Sequence, residues 1–419
     1  MEYVSAFPDH SEFRIHTVNT FYGLPANLNR LRFRVVVLHY SLFGAWPFAL
    51  DDFYTYLEAC ESSYKVAIFQ DEYRFCTQRF AFINHFKIDC IFTRVRPGNF
   101  DDTYGKCAGV SNLVHVQAGY VNNSLMRSAA VQSKPDSERS IDIGYRSRHL
   151  PYYTGRGAQE KHEIAGAFLA HAEGSDLVFD ISSSEADRIL GRAWYPWLAN
   201  CRGVLGVEGG VSVFDLEGVV YAAYDRIMAE HAPKSFAEFA KLAGDTLEDW
   251  EDRIPVRTLT PRHFEAAAFR VCQILFEGEY SGILKPMVHY IPLKKDFSNY
   301  SEVIDRFRNA DLRQELTENA YDDLIESGKY SYQGFVKQFD QVLVAAGIKP
   351  GPADPEVDRM AAGLNSLGFA QRARAVLVAM RHRSFPGRNA LVSLYRKMRP
   401  RPVVVRNMQR LPWQSESDT

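Results

Sequence analysis

The residues with the clearest chemical content stand at the predicted start of one helix. Thr260 is a good N-cap residue and Pro261 fits the first helical position, which predicts that a helix begins here. Arg262, His263 and Glu265 then lie in its opening turns, beside the positive end of the helix dipole. Such a start can hold a phosphate group near an arginine while a carboxylate accepts from the two hydroxyls of a ribose. The alternative interpretation is that Glu265 only complements the helix dipole.

A second set of basic residues follows the predicted strand 141–145. Arg146 and Arg148 come directly after this strand, and Lys161 stands where the glycine-containing segment 154–161 enters the next helix. A glycine lets the backbone approach a ligand closely, and one arginine can donate two parallel hydrogen bonds to phosphate oxygens. The pattern therefore predicts a diphosphate site, although a solvated turn with surface arginines would have the same composition.

Two more loops follow strands of the same predicted sheet. Glu208, Gly209 and Gly210 come after the strand 203–207, where a glycine pair permits close backbone approach and a carboxylate can accept from a sugar hydroxyl. The other interpretation of Glu208 is an exposed carboxylate on an ordinary turn. The loop after the strand 272–276 supplies candidate contacts to a sugar or an acceptor, namely Glu277, Tyr280 and Ser281.

Short β-branched runs alternate with helical patterns along most of the chain. The first series of strands is predicted at 34–40, 64–70, 89–93 and 113–116. After a polar linker at 133–137 the alternation restarts, which predicts βαβ units and two mostly parallel sheets. The expected fold is α/β, with two Rossmann-like, doubly wound domains at 1–138 and 139–346, followed by a basic helical extension at 347–419. Ligands of such sheets bind beyond the carboxyl ends of the strands.

The segments 141–161, 203–215 and 257–294 resemble the donor-binding domain of GT-B glycosyltransferases. The nearest group is the bacterial family 1-like, spore-maturation-protein-like type, whose Glu-Ala-x-Ala helix is matched by residues 265–268. The resemblance implies that Glu265 holds the donor ribose and that no metal ion is required. Many retaining members carry a second Glu eight positions earlier, where this chain has Arg257, so the anomeric outcome stays open.

Candidate chemistry on the acceptor side comes from the first domain. His39 follows the first predicted strand, and Asp71 and Glu72 follow the second. An inverting transferase needs a base that takes the proton of the acceptor hydroxyl, and a histidine or carboxylate in the cleft can serve. The alternatives are that His39 is a core histidine and that Asp71 is a helix cap. We predict Asp71 as the first choice and His39 as the second.

Composition limits the classes of protein that need to be considered. The 419 residues carry a net charge of −2, which does not favour a nucleic-acid partner. The start of the sequence has no basic and apolar leader pattern, and no apolar run approaches a membrane span. The six cysteines lie far apart without a CxxC pair, so we expect reduced thiols in a cytosol and no zinc site.

The stretch from 359 to 415 is basic, because it has many arginines and no Asp or Glu. An apolar stripe beside these arginines predicts either a helix on an anionic membrane surface or one packed on the first domain. Taken together, we expect a cytoplasmic glycosyltransferase, with a nucleotide sugar as substrate, no cofactor, and a glycan, lipid-linked or protein acceptor in bacterial surface glycan synthesis. The alternatives are a nucleotide-sugar epimerase or hydrolase, or a non-enzymatic scaffold in envelope assembly.

Overall fold

The computed structural model describes residues 2–20, 24–25, 28–43, 53–107, 109–352, 355–362 and 364. Its strands are β1 (Val35–Leu38), β2 (Tyr64–Ile68), β3 (Cys90–Thr93), β4 (Asn112–His115), β5 (Ile141–Arg146), β6 (Phe179–Ser182), β7 (Cys201–Gly206), β8 (Gly209–Val213), β9 (Glu251–Thr258), β10 (Cys272–Phe276) and β11 (Ile291–Leu293). Its helices are α1 (Glu2–His10), α2 (Tyr54–Ala59), α3 (Cys76–His85), α4 (Asn123–Gln132), α5 (Arg156–His171), α6 (Trp194–Ala199), α7 (Val219–Glu230), α8 (Phe236–Ala243), α9 (Asp245–Glu248), α10 (Pro261–Ala268), α11 (Tyr300–Arg308), α12 (Ala310–Tyr321), α13 (Tyr332–Ala345) and α14 (Pro355–Ala362).

The first domain is built on a parallel sheet in which β1, β2, β3 and β4 are neighbours in chain order. Right-handed crossovers between successive strands place their helices on one face, and α2 and α3 accordingly pack together on that side. The opposite face is covered by α1 and α13, which come from distant parts of the sequence. Phe335 and Phe339 of α13 pack there against Phe92 of β3.

The second domain has a five-stranded parallel sheet in the order β6-β5-β7-β10-β11. Helices α5 and α11 cover one face, and α4, α6 and α10 cover the other. The chain order reverses between β5 and β7, so the crossovers leave in opposite directions from this point and open a crevice at the carboxyl ends of the two strands. The prediction of two α/β domains with parallel sheets is confirmed.

The packing divides the chain differently from the predicted ranges. Helix α4 precedes the boundary predicted at 138/139, yet Leu125 and Ala129 lie in the second core. Helix α13 falls within 139–346, yet it packs on the first sheet. The chain passes from the first domain to the second near Val121 and returns near Tyr332, and these two segments lie side by side. Val121 donates to the Tyr330 carbonyl at 2.7 Å and accepts from the Tyr332 N–H at 3.1 Å.

A hairpin with a helical lobe stands between β7 and α10, in a stretch for which the sequence patterns indicated little beyond its first residues. Strands β8 and β9 pair antiparallel, and α7, α8 and α9 lie between them. One side of the hairpin joins the core of the first domain through Val211, Ile254 and Val256. Val213 faces the helical lobe instead. The hairpin therefore connects the two domains through apolar contacts.

The start of the predicted extension packs on the first domain. Ala361 and Leu364 are buried in its core, and Asp358 of α14 forms an ion pair with Arg14. The stretch 365–419, which contains the arginines from Arg372 onward, lies outside the described residues. Within the part of the chain that the structure describes, no helix combines the length and apolar character needed to cross a bilayer.

Candidate functional site

A cavity of about 620 Å³ opens at the carboxyl ends of β5 and β7, where the strand order of the second sheet reverses. Its walls come from β5 and the loop after it, the segment 188–191, helix α6, strand β7 and the first turns of α10. Ligands of doubly wound sheets bind at this type of position. The predicted donor residues that line the cavity are Arg146, Arg148, Lys161, Arg262, His263 and Glu265.

The start of α10 forms as the sequence predicts, with Thr260 at the N-cap and Pro261 after it. Nδ1 of His263 accepts from the Thr260 backbone N–H at 2.9 Å and so caps the helix. Burial lowers the pKa of His263 to about 3, so its ring is neutral and Nε2 carries the proton. His263 therefore presents a donor, not a charge, on the cavity side of the helix.

Glu265 stands two residues after His263 and is held by a tryptophan. Its Oε2 accepts a hydrogen bond from Nε1 of Trp194 at 2.7 Å. Burial raises the pKa of Glu265, while this bond and the nearby Arg262 act in the opposite direction. Arg262 is exposed at the cavity mouth and lies over the Trp194 ring, 4.4 Å from its centroid.

Arg146 lines the cavity but is fully engaged by the protein, which corrects its predicted role as a phosphate ligand. Its Nη2 pairs with Oδ1 of Asp180 at 2.5 Å, and its other nitrogens donate to backbone oxygens of Tyr145, Asp180 and Asp187. The backbone oxygen of Arg146 accepts from Arg262. The side chain of Arg146 thus stabilises the cavity wall, and its backbone oxygen binds Arg262. Its guanidinium has no free edge for an anion.

Three cations of the cavity, Lys161, Arg148 and Arg262, form no ion pair with a carboxylate of the described residues. Lys161 is half-buried, and its pKa is lowered to about 8, first by burial and then by the charges of Arg257, Arg262 and Arg148. A positive potential that depresses the pKa of a lysine is also one that attracts an anion. This corner of the cavity is therefore a candidate anion site.

The predicted approach of a phosphate to the start of α5 is wrong, because the hairpin already occupies that helix end. The Arg156 N–H donates to Glu251 of β9 at 3.0 Å, and the Gly157 N–H donates to Oγ of Ser212 in β8 at 2.9 Å. A Cβ at Gly157 would come within 1.7 Å of Nη1 of Arg257. The glycine is therefore needed for an arginine of the same chain, not for a ligand.

Glu208, Gly209 and Gly210 lie outside the cavity walls. Oε1 of Glu208 accepts from the Tyr280 N–H at 2.9 Å, and its Oε2 is 3.7 Å from Nε of Arg257. Gly210 has a φ of 85°, and a Cβ there would meet the Val256 carbonyl oxygen at 1.7 Å. The glycine pair serves the antiparallel contact of β8 with β9, which corrects the predicted donor contact.

The three residues predicted in the loop after β10 do not reach the cavity either. Tyr280 is buried, and its hydroxyl donates to the Phe276 carbonyl at 2.6 Å. Oγ of Ser281 accepts from the Leu259 N–H at 3.2 Å and fixes the chain before α10. Glu277 is exposed and is not among the cavity walls. The loop as described is a structural support for β9 and α10.

On the first domain, the two adjacent carboxylates have different environments. Glu72 is 1% exposed, and its oxygens accept from Thr93, from the Arg94 N–H and from Tyr104. This carboxylate points into the protein and cannot reach a substrate, which corrects its prediction as a catalytic residue. Asp71 is exposed, has a φ of 52°, and is close enough to Lys161 to oppose the lowering of its pKa. The carboxyl edges of the two sheets therefore face each other here.

His39 stands in a group of aromatic rings at the end of β1. Its ring lies 3.8 Å from that of Tyr40 and 5.2 Å from that of Tyr3, and Nδ1 contacts Ser41 at 2.9 Å. Burial lowers the pKa of His39 to about 4, so the ring is neutral near pH 7. Tyr332 of α13 completes the group.

Sequence reasoning gave no role to Trp194, Trp197 or the tyrosines at the end of β1. Two tryptophans three positions apart share one face of a helix, and this spacing was the available signal for the cavity wall. Tyr3 and Tyr332 are brought together only by the packing of α1 and α13. No local pattern could have joined them.

No model of a known protein family matches the chain, and no curated protein sequence does either. Among solved structures the chain is similar to TarM, with a TM-score of 0.43 and 10% identity over 74% of this chain and 54% of that one. An alpha-glucosyltransferase in complex with UDP-glucose and DNA gives 0.43 and 12%, over 74% of this chain and 80% of that one. Sucrose-phosphate synthase from Thermosynechococcus elongatus gives 0.40 and 10%, over 75% and 74%. The chain thus spans little more than half of TarM, and with TM-scores below 0.5 these similarities do not decide the activity.

Proposed function

We propose that this chain is a glycosyltransferase that moves a sugar from a nucleotide sugar to an acceptor hydroxyl. The observation that carries the proposal is the cavity at the reversal of the second sheet, where Lys161, Arg148 and Arg262 have no carboxylate partner among the described residues and Glu265 lines the same cavity from the start of α10. A nucleoside diphosphate has the complementary features, namely a charged diphosphate and a ribose with two hydroxyls.

In the proposed complex, the diphosphate lies against Lys161, Arg148 and Arg262, and the ribose hydroxyls donate to Glu265. When the bond from the sugar to the diphosphate breaks, negative charge grows on the leaving oxygen. Cations that are already in place stabilise this charge without reorganisation. The protein cations would perform this work, so the proposal includes no metal ion. Activity that survives a chelator would support this point.

Asp71 is the proposed general base. Its carboxylate lies at the carboxyl edge of the first sheet, on the side of Lys161, and so stands beside the expected position of the leaving phosphate. The acceptor oxygen would attack the anomeric carbon, its proton would pass to Asp71, and the nucleoside diphosphate would leave. Position 257 carries an arginine, whose guanidinium stays protonated and cannot act as a nucleophile, and we propose a single displacement with inversion.

The aromatic group of Tyr3, Tyr40 and Tyr332 supports a carbohydrate acceptor, because flat rings give apolar faces on which sugar rings can pack. We propose a glycan or glycoconjugate acceptor of a bacterial surface. The buried free thiols of the six cysteines fit a cytoplasmic location. The basic sequence after residue 364 would bring the protein to an anionic membrane, where lipid-linked acceptors lie.

A thermal-shift screen against UDP, GDP and dTDP sugars, with CMP sugars alongside, tests the donor half of the proposal. We expect stabilisation by one nucleoside diphosphate sugar and little by CMP sugars, which have a single phosphate. The stabilised donor is then incubated with acceptor glycans, and the anomer of the product is read by NMR. Turnover without any acceptor would favour the hydrolase or epimerase alternative. Absence of stabilisation by every diphosphate would refute the proposed site.

A further inference from the structure

Trp194 is the first residue of α6, and its indole lies between two parts of the cavity wall. Its ring is 4.8 Å from that of Trp197, and the guanidinium of Arg262 covers it at 4.4 Å. The indole N–H points to Glu265 and donates to its Oε2 at 2.7 Å. A contact on each side fixes the direction of this N–H.

Trp197, which packs against Trp194, is itself fixed by a hydrogen bond. Nε1 of Trp197 donates to Oδ2 of Asp180 at 2.8 Å, and Oδ1 of the same carboxylate pairs with Arg146. Burial tends to raise the pKa of Asp180, but the bonds from Arg146 and Trp197 outweigh it and lower the pKa. This carboxylate therefore stays ionised, and Trp197 keeps a fixed position beneath Trp194.

Glu265 depends on Trp194 more than on Arg262. The Nη1 group of Arg262 is directed to the backbone oxygen of Arg146, so among the described residues Trp194 gives Glu265 its hydrogen bond. A buried carboxylate without a donor would be protonated or would turn away. Oε1 of Glu265 accepts from no described residue and is left for a ligand.

We propose that Trp194 is a positioning residue that fixes the Glu265 carboxylate, with one oxygen bound by the indole and the other presented to a ribose hydroxyl. The inference rests on the proposed function, because it assumes a ribonucleotide in the cavity. It predicts that ligand binding requires the 2′- and 3′-hydroxyls of the ribose. This requirement depends on the indole N–H of Trp194, which is 71 positions from Glu265 in the sequence.

The charged and titratable groups that share the cavity with Glu265 must be separated from it in a pH experiment. They are Arg262 and His263 of α10, Tyr145 and Arg146 at the end of β5, Arg148 after it, Lys161 of α5, Arg188 in the segment before α6, and Tyr195 of α6. Burial lowers the pKa of His263 to about 3 and that of Lys161 to about 8, on either side of the range in which a carboxylate such as Glu265 loses its proton. Glu265 must be ionised to accept from a ribose, so affinity is full above its pKa and falls as the pH drops through it.

The test uses Trp194→Phe, which keeps an aromatic ring and removes the N–H, with Trp250→Phe of the helical lobe as the matched control. Binding of UDP and of 2′-deoxy-UDP, or of the diphosphate identified by the screen, is measured by calorimetry from pH 5 to 7.5. For Trp194→Phe we expect UDP affinity about tenfold or more lower at pH 7, since a hydrogen bond to a charged group has about this value. We also expect a smaller preference for ribose over deoxyribose, and a fall in affinity that begins at higher pH.

Glu265→Gln supplies the reference, because it removes the titrating carboxylate and leaves only the titration of the ligand phosphate. In this background Trp194→Phe should no longer shift the pH profile. If Trp194→Phe weakens UDP and 2′-deoxy-UDP equally, with an unchanged pH profile, the residue is only structural and the inference is overturned while the proposed function stands. If the wild-type protein binds no nucleoside diphosphate, the proposed function fails first.

Discussion

The carboxyl edges of the two sheets face the same cleft but are built from different side chains. The edge of the second sheet carries cations, and the described residues leave Lys161 without a carboxylate partner. The edge of the first sheet carries aromatic rings and the exposed Asp71. A cation-rich edge suits a diphosphate, whereas rings and a carboxylate suit a neutral sugar that loses a proton. This difference supports the proposal that the donor binds at one edge and that the acceptor is activated at the other.

Asp71 and its neighbour Glu72 give the sharpest test of the acceptor edge. Asp71→Asn should reduce kcat by about 10²–10⁴-fold, the usual contribution of a general base, while donor affinity stays the same. Glu72→Gln should instead lower the melting temperature, because it removes the charge from a buried carboxylate that accepts three hydrogen-bond partners. Kinetics and thermal melts of both variants check the assignment. Equal rates for Asp71→Asn and the wild type would move the base elsewhere.

Lys161 gives the corresponding test of the donor edge. Lys161→Met should reduce kcat/KM by about 10²–10³-fold, because an ammonium group at the leaving oxygen is lost. In the wild type, diphosphate affinity should fall as the pH rises through about 8, since the lysine then loses its charge. Lys295→Met is the control, because Lys295 pairs with Glu160 and is not a cavity wall. A diphosphate affinity that is flat from pH 7 to 9.5 would contradict the role of Lys161.

The residues of the donor edge were predictable where a local pattern determines the position. The strand at 141–145 and the capped helix at 260–268 place Arg148, Arg262 and Glu265 at one edge without knowledge of the packing. The errors came from partners that are distant in the sequence. Arg146 is taken by Asp180, 34 positions away, and the start of α5 is taken by Glu251, 95 positions away.

The acceptor edge and the hairpin were harder to predict for the same physical reason. Gly209 and Gly210 fit a ligand loop and a hairpin equally well, and only the antiparallel pairing with β9 distinguishes them. The apolar residues of α13 repeat with the period of an amphipathic helix, but periodicity does not say which sheet its apolar face covers. The packing of α13 on the first sheet decides this, and it also brings Tyr332 to Tyr3.

Substitutions of Arg262 and Arg146 should differ in their effects on the affinity for a nucleoside diphosphate and for the bare nucleoside. Arg262→Ala should weaken a nucleoside diphosphate roughly tenfold more than the bare nucleoside, because the exposed guanidinium is available to phosphate. Arg146→Ala should weaken both ligands to the same extent and lower the melting temperature, since it leaves Asp180 without its cation. Calorimetry with the two ligands measures the difference. A selective loss of diphosphate binding in Arg146→Ala would restore its predicted contact with phosphate.

The smallest effect on the donor edge is expected from the C-terminal extension, whose described residues pack on the first domain. Removal of residues 366–419 should leave the melting temperature and the nucleotide affinity unchanged. Removal of 347–419 also takes away Ala361 and Leu364, which are buried in the first core, so it should lower the melting temperature. Nucleotide affinity should still hold, because the cavity walls belong to the second domain.

The protein without residues 366–419 also tests the membrane contact. If the basic sequence binds a membrane, this variant should no longer bind anionic vesicles at low salt, since each basic residue near such a surface contributes about 1 kcal/mol. Equal vesicle binding with and without residues 366–419 would end that part of the proposal.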